Sequence, residues 1–306
     1  MACRAAPVAP RGVLTRRTNG GTIVHIVKQH STVSRGTVPG GTQSVTRAFA
    51  ILKVFSDARR EWTLADLART IELTKPTALR LLGVLEREGM VQRGRPGGSY
   101  RLGPRAIELG ALAQRSIDFQ ASARPELERL AWNTGETTTL EMLAGTEILV
   151  LDFVRGRRPG SWGEYVGARW PAHAAATGKV LLAAARLERS EGWDQFLSAT
   201  RGRLARFTPR TITTMTRLGE ELTLVQRRGY ATAIEELEPG YVAIGVPVEN
   251  HAGRSVAAIC IGGQSSRLTR DRRAVLLRAL QESARRISAQ LGANGATRPA
   301  VAAGRG

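Results

Sequence analysis

The sequence predicts an α+β protein of two domains: a small helical unit closed by a hairpin, then helices laid on an antiparallel sheet. Three observations carry this. Between residues 43 and 102 apolar residues recur first at helical spacing and then at strand spacing, over a length that suits one small domain. Beyond residue 120 strand-like runs come in two hairpin pairs separated by helical segments, which suits an antiparallel sheet and not a doubly wound parallel one. The chain has 306 residues, 42% of them apolar, enough for each domain to bury a core.

Taken in order, residues 1–42 are rich in Gly, Thr, Pro and Arg without helical period, and read as a disordered basic arm; Gly21 to Lys28 could make a short strand. Val45, Ala48, Ile51, Leu52 and Phe55 mark a first helix with Ser44 available as cap. Leu64 to Ile71 is a short second helix, with Thr63 as N-cap and Asp66 at the capping-box position. A third begins at Thr74 or Lys75, because Pro76 belongs in a first turn. Ala78, Leu81, Leu82 and Leu85 form its buried face, and Gly89 stops it. Met90–Arg93 and Ser99–Leu102 then form a hairpin around a glycine-rich basic tip. Residues 103–120 form a linker helix. In residues 121–292 the expected elements are a helix at Ala123–Asn133, strands at Thr137–Leu143 and Glu147–Phe153, and helices at Thr177–Arg186, Glu191–Thr200 and Thr214–Arg228. Strands at Tyr241–Val248 and Arg254–Gly262 and a helix at Thr269–Leu291 complete it, before a disordered tail at 293–306.

Forty-five Lys and Arg against 26 Asp and Glu give a net charge of +19, which makes nucleic acid or an anionic surface the partner to test. Charge alone is not decisive, since an Arg- and Ala-rich composition also follows from a high-GC genome. Cys3 and Cys260 stand far apart, so no disulfide framework or CxxC pair exists and the cytoplasm is the expected compartment. His25, His30, His173 and His251 lack metal-site spacing; no metal and no cofactor is expected. No apolar run approaches a membrane span, and the Arg-rich start lacks the apolar stretch of a secretory signal.

The order helix, helix, turn, helix, hairpin within residues 43–102 is that of a winged helix-turn-helix. Its third helix would place Lys75, Pro76, Thr77 and Arg80 at a major groove, with Arg80 able to contact a guanine edge and Thr77 a phosphate or thymine methyl. Arg93, Arg95 and Arg101 lie where a wing would meet phosphates or the minor groove; Ser44 and Thr63, at helix starts, complete the expected contact set. In the second domain Pro171 to Lys179 runs small residues into a helix whose amides could take an anion, and it is not a Walker A motif. The simpler reading is a tightly packed turn, with His173 structural. Adjacent Glu235 and Glu236 point to opposite faces of an extended segment, so they do not form an acid–base pair. Ala258, Cys260 and Gly262 share one strand face, small enough to leave a cavity.

Ser44 to Leu52, Leu64 to Ala68, Arg80 to Gly89 and Tyr100 to Arg105 resemble, in order and spacing, motifs of the IclR family of bacterial regulators. The resemblance runs from about Gln43 to Leu291. It implies a GAF-like α/β effector-binding domain behind the winged helix-turn-helix. It also implies a sequence-specific transcriptional regulator, repressor or activator, whose DNA binding answers to a small metabolite, and no catalytic residues. The implied partners are a palindromic double-stranded operator, a small-molecule effector and a second copy of the chain, with pairing of dimers into a tetramer as a further step. The implied effector contacts fall on Ala176, Thr177, Gly178, Ala233, Glu235, Ala243, Cys260 and Gly262. Ala233, Ala243 and Gly262 stand where carboxylate-sensing members carry polar groups, so a roomier, more apolar pocket is expected. An enzyme or stand-alone metabolite binder is the competing class, and it lacks a nucleophile elbow, a dinucleotide fingerprint or a metal cluster. A charge-only nucleoid or RNA binder is the third. A footprint on one palindrome resisting bulk DNA separates that from a regulator.

Overall fold

The computed structural model describes residues 13–17, 23–27, 42–56, 59–94, 98–115, 118–158 and 165–293. Near the start, β1 (Val13–Arg17) and β2 (Ile23–Val27) pair antiparallel, with Thr15 opposite His25. Sequence reasoning expected only one short strand there, inside a disordered arm. The rest of that arm, and the tail beyond residue 293, lie outside the described residues.

The first domain follows the expected order. It comprises α1 (Gln43–Lys53), β3 (Trp62–Thr63), α2 (Leu64–Thr70), α3 (Lys75–Arg87), β4 (Val91–Arg93) and β5 (Ser99–Leu102). The local chemistry sets each boundary. Thr63 Oγ1 accepts from the Asp66 amide at 3.2 Å and opens α2; Thr74 Oγ1 accepts from the Thr77 amide at 3.4 Å and opens α3, with Pro76 in the first turn. Gly89, at φ +69°, supplies the left-handed residue that ends α3. Ile51, Leu67, Leu81, Leu82, Leu85, Val91 and Tyr100 pack into one core. Each such side chain contributes about 1.5–3 kcal/mol when fully buried. Strand β3 was not foreseen: Trp62 pairs with Tyr100, giving a three-stranded sheet in the order β3-β5-β4.

After α4 (Pro104–Arg115) comes α5 (Asp118–Thr134), which starts five residues before the expected Ala123 and so carries Pro125 inside it. Gln120 Nε2 donates to the Leu151 carbonyl at 2.9 Å and ties that early turn to the sheet. Then follow β6 (Thr137–Ala144), β7 (Glu147–Val154), β8 (Arg169–Pro171), α6 (Ala176–Leu187), α7 (Glu191–Thr200), α8 (Met215–Arg228), β9 (Ala231–Ile234), β10 (Tyr241–Glu249), β11 (Ser255–Gln264) and α9 (Arg270–Gln290). One six-stranded antiparallel sheet runs β8-β7-β6-β11-β10-β9.

Strand alternation divides the core into two layers. Val242, Ile244, Val246, Ala257, Ile259 and Ile261 face α5 and α9. On the other face Ile148, Val150, Ala231 and Ala258 meet α6 and α8 through Val180, Leu181, Leu218 and Leu222. The edge strands β8 and β9 are short, and neither was foreseen as a strand because three or four residues carry no readable period. At one end of the sheet buried Glu136 is clasped by Arg267 at 2.9 Å, Arg272 at 3.3 Å and Arg158 at 3.6 Å. This clasp joins the start of β6 to the β11–α9 junction.

Candidate nucleic-acid interface and effector cup

The amino-terminal face of α3 is open. Lys75, Pro76 and Arg80 are exposed, and neither Lys75 nor Arg80 has a side-chain partner among the described residues. Thr77 is half-buried, its hydroxyl 2.9 Å from that of Thr74. Ser44 is exposed in the first turn of α1, while Thr63 is occupied as the cap of α2. On the wing Arg101 is exposed; Arg93 pairs with Glu86 at 3.2 Å and lies over the Tyr100 ring at 5.0 Å. Arg95 lies outside the described residues. Sequence reasoning missed an Arg59–Asp66–Arg69 cluster: Arg59 first, and then Arg69, holds the Asp66 carboxyl below its usual range. This ties Arg59 and Arg69 to the first turn of α2, beside its Thr63 cap. The only signal was the acid itself, with basic residues seven positions before it and three after.

The second domain gathers small residues on the sheet face beneath the start of α6. Ladder register puts Ala233 opposite Ala243, Ala243 opposite Gly262, and Gly245 opposite Cys260, with Cys260 opposite Thr139. A Cβ on Gly245 would stand 2.8 Å from the Thr177 amide nitrogen, so only glycine lets α6 come this close to β10. Ala176 and Thr177 at the start of α6 thus face the small-residue surface of Ala243, Cys260 and Gly262, a cup with Ala233 at its β9 wall, whereas Gly178 packs against the Ala172 backbone. Glu235 sits instead in the following turn, at φ +55°, and its carboxylate is 3.6 Å from Arg210. That turn is pinned by Thr208 and Thr211 hydroxyls, which donate to the carbonyls of Glu235 and Glu236 at 2.6 Å.

The space above Gly262 is not void. A Cβ there would collide with the Tyr241 hydroxyl, so the Tyr241 side chain leans along β10 into the room expected to be empty. Beneath the first turn of α6 lies a group that sequence reasoning did not single out. Glu141 is fully buried, accepts from the Thr139 hydroxyl at 2.6 Å and also from the Thr177 hydroxyl. Burial pushes its carboxyl up, and the two hydroxyls oppose that. The signal was the alternation Thr137, Thr139, Glu141, which puts three polar groups on one face of a buried strand.

Two residues beyond Thr177 on α6, Lys179 is 1% exposed and its ammonium donates to the Thr232 carbonyl at 2.6 Å and to Glu236 at 2.7 Å, with Glu221 at 3.3 Å. His173 is structural, as expected: its Nε2 stands 2.9 Å from the Ala205 carbonyl oxygen, and burial lowers its pKa.

Glu238, at an open hollow of about 280 Å³ with Tyr241 and Gln264, is pushed by burial up to about 7. A carboxyl raised in the folded state contributes stability that is full below its unfolded pKa and lost as pH rises through the folded one. Glu238→Gln should therefore gain in melting temperature on the wild type from pH 5 to pH 8. A gap that stays constant across that range would contradict this assignment.

With this geometry in place, comparison with known proteins identifies the architecture. The profile described as the IclR helix-turn-helix domain matches residues 44–95, and that of the bacterial transcriptional regulator IclR C-terminal domain matches residues 111–289. The HTH-type transcriptional regulator XynR of Escherichia coli is 32% identical over 82% of this chain and 97% of its own. The glycerol operon regulatory protein of Streptomyces coelicolor is 32% identical over the same shares. A solved putative IclR regulator from Silicibacter superposes with a TM-score of 0.72 at 28% identity, covering 84% of this chain and 98% of that one. An IclR homologue from Microbacterium hydrocarbonoxydans complexed with 4-hydroxybenzoate gives 0.70 at 28% identity, covering 81% and 98%.

Proposed function

We propose that this chain, which belongs to the IclR family of bacterial transcriptional regulators, reads a palindromic operator as a homodimer and releases or grips it when a small metabolite fills the cup under α6. Family membership makes it a helix-turn-helix DNA-binding regulator with an effector-binding domain, and not an enzyme. No described helix is long and apolar enough to cross a membrane. We place its work in the cytoplasm, where DNA and metabolite meet.

The observation that carries the DNA reading is the open face of α3. Lys75 and Arg80 project from its first turns while Leu81, Leu82 and Leu85 hold the opposite face in the core. Arg101 and Arg95 are assigned to phosphates, and Ser44 to a backbone contact at the start of α1. Thr63 and Arg93 have internal duties, which fits an auxiliary part for them and leaves the base contacts to α3.

The dimer reading rests on exposed apolar side chains. Val45 and Phe49 stand out on α1, and Ile107, Leu109 and Leu112 on α4, where Ile107 is 75% exposed. Exposed apolar side chains in this number mark a contact surface, and two half-sites on DNA call for two recognition helices. The expected result is a dimer by light scattering, or a tetramer built from dimers. The double substitution Phe49→Glu with Ile107→Glu should give monomers that keep the wild-type circular dichroism. A wild type that is monomeric with and without DNA would overturn the dimer.

For the effector, Ala233, Ala243 and Gly262 themselves contribute no side-chain donor to the cup, which favours an uncharged or aromatic-bearing molecule over a two- or three-carbon acid. The relative complexed with 4-hydroxybenzoate holds an aromatic carboxylate, so an aromatic acid and its uncharged amide are the first pair of probes to compare.

A further inference from the structure

The reading of the cup as the effector site leaves one of its residues without a purpose. Glu141 is a fully buried carboxyl in the middle of a sheet, and no basic side chain among the described residues pairs with it. Lys179, on the helix above, is committed to the Thr232 carbonyl, Glu236 and Glu221. A buried acid without a cation is costly to a fold and is kept where it does something.

Its position suggests what. Helix α6 begins without a capping side chain and without an acid in its first turn, and the amides of Ala176, Thr177 and Gly178 have no acceptor among the described residues. Such a helix start favours a negative charge. Glu141 supplies one from the neighbouring strand. One of its oxygens takes the Thr139 hydroxyl at 2.6 Å and the other takes the hydroxyl of Thr177, the second residue of the helix. The charge preference of the helix end is thus met by Glu141, while its first three amides keep no acceptor among the described residues.

We propose that Glu141 is the charge-selecting residue of this cup: it fixes the effector as an uncharged molecule that offers a carbonyl or hydroxyl oxygen to the α6 amides, and it turns small carboxylates away. A carboxylate entering beside Glu141 would bring two like charges together in a poorly solvated space, or force a proton onto one of them. A carbonyl or hydroxyl oxygen takes the same amide hydrogen bonds without that conflict. The inference rests on the cup being the effector site, and its test separates the two claims.

The probes are benzoate and pyruvate with their uncharged amides, benzamide and pyruvamide, titrated into the full-length chain by calorimetry at pH 7.5. Glu141→Gln keeps the shape and removes the charge; Glu141→Leu is a second uncharged variant should the first fail to fold. Each variant is also combined with Ala243→Phe, which fills the cup. At least a tenfold gain in affinity for one carboxylate in the uncharged variants, with the amides moving less than threefold and the gain abolished by Ala243→Phe, is the expected result. Carboxylate affinity within twofold of wild type, including no binding to either protein, overturns the role of Glu141. A gain that survives Ala243→Phe overturns the cup as the binding site.

Discussion

Replacing Lys179 by alanine should cost the effector domain about 3–5 kcal/mol, since removing one member of a buried ion pair leaves the other uncompensated. Lys179 is 1% exposed, and it is the cation for Glu236, itself only 11% exposed. Glu221 keeps Arg228 at 2.8 Å after the change, so the penalty falls on Glu236 and on the Thr232 carbonyl. The pH dependence gives a second reading. Burial already raises the Glu236 pKa, and Lys179 opposes that rise. Without Lys179 the folded-state value climbs further, so stability is lost over a wider span as pH increases from about 4.5, the ordinary Glu range. Thermal unfolding should therefore show a deficit that grows with pH and that Glu236→Gln partly relieves in the double variant. A deficit below about 1 kcal/mol, or one that shrinks as pH rises, would mean the cluster is not what joins α6 to the β9 turn. Because the Thr232 and Glu236 contacts hold the β9 wall of the cup to the helix, the variant should also bind effector more weakly than its stability alone explains.

Arg80→Ala should cost about 1–3 kcal/mol in operator binding and relax the preference at one base position in each half-site. Arg80 is exposed, without a side-chain partner among the described residues, on the helix whose other face is core. Its loss should leave the fold untouched, because no described contact of the protein depends on it. Arg101→Ala is the companion. On the wing it should weaken every sequence alike and flatten the dependence on salt by about one counterion. Equal affinity and selectivity in Arg80→Ala and wild type would move the recognition surface away from α3.

Much of the fold could be read from sequence. Thr63, Thr74, Pro76 and Gly89 are local signals whose effect is local, and they set the helix ends where the chain suggested. Helices α8 and α9 were expected to begin at Thr214 and Thr269, and those two residues are their N-caps. What stayed hidden depended on partners distant in sequence. Strand β3 exists because Trp62 meets Tyr100, and β8 because three residues find the edge of β7. In the cup, the small face of Ala258, Cys260 and Gly262 was legible from alternation, yet the Tyr241 side chain that fills the space over Gly262 was not. Nor was Glu141: its meaning depends on Thr177, thirty-six residues away, arriving over it at the start of α6.

Two copies of the winged domain, related by symmetry, should together read one specific DNA sequence. Selection from a pool of random duplexes by the full-length protein, with sequencing of the bound fraction at near-physiological salt, measures this without assuming the operator. Enrichment of one inverted repeat is expected, with a half-site position whose preference disappears when Arg80→Ala is used. Binding that enriches no motif and tracks salt concentration alone would contradict it, and would leave a basic protein that holds DNA by charge.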